Sequence, residues 1–84
     1  MTSHSHRFVE EYEGFVGFGF SREVDELTLT YYLQKFSDDE LMALIRNRMS
    51  DEDLTNLFDT VAGLMKKYLS DAEYHRYFLR DEEG

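Results

Sequence analysis

The sequence predicts an all-α protein, a compact bundle of four or five short helices in a single domain spanning residues 1–84. Three observations predict it. One helix-start pattern recurs three times, as Phe36-Ser37-Asp38-Asp39-Glu40-Leu41, Met49-Ser50-Asp51-Glu52-Asp53-Leu54 and Leu69-Ser70-Asp71-Ala72-Glu73-Tyr74. Between these starts the apolar residues recur three and four positions apart, the spacing of one helix face. Proline is absent, which suits helices joined by short turns.

The start pattern has a mechanism. A Ser side chain at the N-cap accepts a hydrogen bond from the amide three residues on, and an acid there reaches back. Apolar residues on both sides sit where a hydrophobic staple needs them. The expected N-caps are therefore Ser37, Ser50 and Ser70, with Asp25 as a fourth. The intervals between the three serines differ, so the pattern is shared capping chemistry and not a repeat array.

Taken in order, residues 5–16 carry Phe8, Tyr12, Phe15 and Val16 on one stripe. Ser3 or Ser5 can cap that helix, and Gly14 weakens it by about 1 kcal/mol against Ala. Gly17 and Gly19 end it, since either can take a left-handed conformation. Phe18 and Phe20 are expected to plug the core from the turn. The glycine run is not a phosphate loop, because the strand, helix and Lys-Ser/Thr context are missing.

Residues 21–36 read as a helix with Asp25 as cap, Leu29, Tyr32, Leu33 and Phe36 on one face and Leu27 and Tyr31 on the opposite side, so that it is expected to be buried on two sides. The alternative is an α+β fold with a small hairpin from residues 15–20 and 27–33, because Leu27-Thr28-Leu29-Thr30-Tyr31 alternates with period two. Residues 38–48 form a short helix with Leu41, Leu44 and Ile45 inward. Residues 51–68 form the longest helix, striped by Leu54, Leu57, Phe58, Val61, Leu64, Met65 and Tyr68, and the bundle is expected to pack around it. The last helix, 71–80, presents Tyr74, Tyr77 and Phe78. Residues 1–4 and 81–84 read as disordered tails.

Charge follows the same scheme. The net charge is −9. Eight of the 18 acids fall inside the three start patterns, and the remaining ten nearly balance the nine Lys and Arg residues. Acids in a first helical turn oppose the positive end of the helix dipole. The excess negative charge thus has a local folding explanation.

Several chemistries find little support. Cysteine is absent, so no disulfide, thiolate metal site or thiol nucleophile forms, and a reducing cytoplasm is the expected setting. No apolar run is long enough to span a membrane. The acidic runs lack the ligand spacing and glycine of an EF-hand. His4 is the stronger metal candidate: with Met1 removed, a third-position imidazole can bind square-planar Cu(II) or Ni(II). A site from His75 with Glu73 or Asp71 is weaker, since no HExxH-type spacing exists. The tail is read instead as carrying no metal. Helices 38–48 and 51–68 can be drawn as a helix-turn-helix, but the second opens on Asp51-Glu52-Asp53, where phosphates would lie. Direct nucleic-acid binding is not expected.

The aromatic share, 15%, is the suggestive surplus. Tyr31, Tyr32, Tyr74, Tyr77 and Phe78 are the interface candidates, since Tyr suits a surface that is apolar at one end and polar at the other. The expected function is a non-enzymatic interaction or regulatory module that binds a protein partner or itself, with no cofactor. The alternatives are an acidic mimic that occupies the nucleic-acid groove of a basic protein, and a metal-handling protein acting through its N-terminal tail.

Overall fold

A computed structural model describes residues 6–81. The fold is all-α, with no strand among the described residues. The chain divides into two units, Met1–Arg48 and Met49–Gly84, and each is built on its own local logic.

The first unit holds α1 (Arg7–Glu11), α2 (Arg22–Phe36) and α3 (Asp39–Arg46). Helix α1 is far shorter than the expected 5–16. The chain leaves the helix at Tyr12 in an extended conformation and becomes a strap over α2. The strap finds its partners there. Thr28 Oγ1 accepts from the Gly17 N–H and donates to the Gly17 carbonyl, both at 3.0 Å. Gly19, at φ 95°, donates its N–H to Asp25 Oδ1 at 2.7 Å. Two glycines that were expected to stop a helix thus anchor a loop. Phe15, Phe18 and Phe20 lie on its exposed side, so they do not plug a core.

Asp25 is consequently not the N-cap of α2. Ser21 is, in an extended conformation, with its hydroxyl accepting from the Val24 amide at 3.2 Å. Asp25 sits one turn inside, its carboxylate turned to Gly19. Residues 27–33, the candidate strand, lie within α2. Of the two faces of α2 expected to be buried, only the one that carries Leu27 and Tyr31 is packed. Leu29, Tyr32 and Leu33 are exposed, and Thr28, which favoured the strand reading, is only 2% exposed.

Helix α1 docks on α2 through Val9, the one buried hydrophobic residue among those described. The Val9 amide, an orphan donor of the first helical turn, reaches Gln34 Oε1 at 3.0 Å. Tyr12 stacks on Phe8 with ring centroids 5.1 Å apart and meets Tyr31 edge-on at 5.9 Å.

Ser37 is not the N-cap of α3. Helix α2 runs to Phe36, so Ser37 becomes its C-cap, with its N–H on the Leu33 carbonyl at 2.9 Å. The Ser37 hydroxyl is paired with His6 Nε2 at 2.9 Å. Asp38 takes over the cap and accepts from the Glu40 amide at 3.3 Å. The junction is too short for Ser37 to stand outside both helices.

The second unit holds α4 (Asp51–Tyr68) and α5 (Asp71–Glu73), which runs straight into a π-helical segment, Tyr74–Leu79. Ser50 caps α4 by accepting from the Asp53 amide at 3.1 Å. Ser70 makes a full capping box: its hydroxyl accepts from the Glu73 amide at 3.1 Å, and Glu73 Oε1 accepts from the Ser70 amide at 2.8 Å. The segment ends at Arg80, which adopts the left-handed conformation at φ 57°. Asp81, expected to lie in a disordered tail, faces His75 Nδ1 at 3.3 Å. Residues 82–84 lie outside the described residues.

The apolar stripe of α4 does not form a core. No residue of α4 is buried. Leu54, Leu57, Phe58, Val61, Leu64 and Tyr68 are all exposed.

Candidate functional site

The α4 stripe is about 120° wide by helical geometry, and its two edges have different surroundings. Phe58, Ala62 and Met65 lie along one edge. That edge, with Val61 and Lys66, forms one wall of a groove of about 600 Å³. Tyr74 and Phe78 form the facing wall, and Leu69, Ser70 and Asp71 form its end. All of these residues belong to the second unit.

Local chemistry positions the walls. The Ser70–Glu73 capping box fixes where the second wall begins. The π-helical turn then presents Tyr74 and Phe78 as a stacked pair, with centroids 5.0 Å apart and planes 14° from parallel. π-helical turns are rare and gather at functional sites. The groove is apolar along its walls and carries charge only at Lys66 and Asp71. Its size suits apolar side chains of a partner.

A smaller hollow of about 340 Å³ lies in the first unit, lined by Phe18, Thr28, Leu29 and Tyr32. The strap forms one side of it and α2 the other.

The interface candidates separate in this frame. Tyr74 and Phe78 come together in the groove wall. Tyr77, on the same turn, is exposed beside the Arg76 guanidinium, 5.4 Å from its ring centroid. Tyr32 is 63% exposed at the rim of the smaller hollow. Tyr31 is half-buried and engaged within its unit, by Tyr12 on one side and Lys35 Nζ at 5.2 Å on the other. His4 lies outside the described residues. His75 faces Asp81 and not the Asp71 or Glu73 carboxylates considered beside it. Among the described residues no group of three or more His, Asp and Glu side chains is placed to hold a metal ion.

Phe58 and Met65 are site residues that sequence reasoning assigned to the core. Phe58 is 70% exposed. Their apolar stripe was visible; its destination depended on partners that periodicity does not name.

Among the described residues, no helix is long and apolar enough to cross a membrane. Comparison of the chain with protein-family models, with curated proteins and with solved structures found no match.

Proposed function

We propose that this chain is a non-enzymatic interaction module that associates with itself through an apolar, aromatic surface in a reducing cytoplasm. One observation carries the reading. Val9 is the only buried hydrophobic among the described residues, while eighteen large hydrophobic side chains are exposed. Single exposed apolar residues are ordinary, but so large an exposed apolar share within each unit is what protein-binding surfaces carry. The aromatic members Tyr32, Tyr77 and Phe78 supply the residue types that interface centres favour. The exposed acids that open α4, Asp51, Glu52 and Asp53, add charge that keeps such a surface from sticking without selection.

Hydroxyl-radical footprinting across a range of protein concentrations tests it. Self-association predicts that labelling of Tyr32, Tyr77 and Phe78 falls as concentration rises. Labelling that stays constant over the whole range would count against the reading.

A further inference from the structure

The edge of α4 that does not line the groove carries a heptad: Leu54, Leu57, Val61, Leu64 and Tyr68 recur three and four residues apart. All five are exposed, and only Val61 is shared with the groove. Such a seam is what one helix offers another in a coiled coil. We propose that α4 pairs with α4 of a second copy of this chain, antiparallel, about a two-fold axis near the middle of the helix. This rests on the self-association reading above.

Charge selects the occupant and its direction. Helix α4 opens on Asp51, Glu52 and Asp53 and closes on Lys66 and Lys67. Asp53 and Lys67 are two heptads apart, so they lie on the same flank of the seam. An antiparallel copy lays the basic last turn of one helix beside the acidic first turn of the other, twice over. It also sets the two helix dipoles head to tail. A parallel copy places acid beside acid and base beside base, and like charges across an interface disfavour that arrangement. In the antiparallel register Leu54 meets Leu64 of the copy and Leu57 meets Val61, and the two-fold generates each contact again. Such an isologous pair closes on itself and leaves no end open for filament growth.

The absence of cysteine makes a clean cross-linking test. Leu54→Cys and Leu64→Cys are prepared separately in the full chain and oxidised alone and mixed. Antiparallel pairing puts positions 54 and 64 opposite each other and holds each position about 15 Å along the axis from its own copy, beyond disulfide reach. The mixture is expected to give a covalent heterodimer and each variant alone almost none. Efficient cross-linking of L54C to itself would overturn the antiparallel register.

Surface charge reversal is the second measurement, because it leaves the apolar seam intact. Asp53→Lys and Lys67→Asp singly are expected to weaken the dimer several-fold, and the double variant to restore it. A dimer indifferent to all three variants and to cysteine placement overturns this pairing while self-association stands. A wild-type chain that is monomeric throughout overturns both.

Discussion

The Thr28 hydroxyl holds both backbone polar groups of Gly17: it accepts from the N–H and donates to the carbonyl, each at 3.0 Å. One side chain thereby does for a loop what a neighbouring strand does in a sheet. Thr28→Val keeps the shape and removes both bonds, leaving partly buried groups unpaired. A loss of about 1–3 kcal/mol is expected in chemical denaturation. Thr28→Ser keeps the hydroxyl and should lose less. A loss for Thr28→Ser with none for Thr28→Val would show that the methyl, and not the hydroxyl, matters.

Gly19 anchors the other end of the strap. At φ 95° it occupies a conformation that side chains resist, although a Cβ there meets nothing within 4 Å. Gly19→Ala should therefore cost about 1 kcal/mol or more through the backbone alone. Thermal denaturation measures it, and an unchanged midpoint would mean that the strap relaxes freely.

The three serines should no longer behave alike. Ser50→Ala and Ser70→Ala each remove a helix cap and are expected to cost about 1 kcal/mol. Ser37→Ala removes only the exposed contact to His6 and should cost a few tenths of that, within the range of surface substitutions. Asp38→Ala takes the place of Ser37 in the series, since Asp38 caps α3. A thermal midpoint series ranking Ser37 with Ser50 would contradict this assignment.

Phe58 separates folding from association. It is 70% exposed yet forms part of a groove wall. Phe58→Ala should change stability by less than about 1 kcal/mol when the chain is dilute. It should weaken self-association about ten-fold if Phe58 is an anchor of the interface. Denaturation and association measured on the same preparation distinguish the two effects.

Helix ends were the most legible part of the sequence where capping is local. Ser50 and Ser70 need only the residues within three positions of them, and α4 spans the expected 51–68. Ser37 shares the same letters, but its role turns on where α2 stops, which the pattern at 36–41 does not encode. The strap was hidden for a related reason. Gly17 and Gly19 signalled a break, while their partners Thr28 and Asp25 lie on the next helix and each had a competing local reading. Periodicity found the α4 stripe and its direction on the helix. It could not say whether the stripe faces its own chain or another, because the hydrophobic effect rewards either burial equally. The interface candidates suffered the same ambiguity: Tyr31 is engaged within its unit, and Tyr32 is not.

The central claim is that the exposed apolar surface of this chain belongs against a second copy. Sedimentation equilibrium tests it most directly, because it reads mass without a label or a variant. For a 10.0 kDa chain, a mass that climbs with concentration to twice that value is the predicted result. A mass that stays at one chain over the whole accessible concentration range would contradict it.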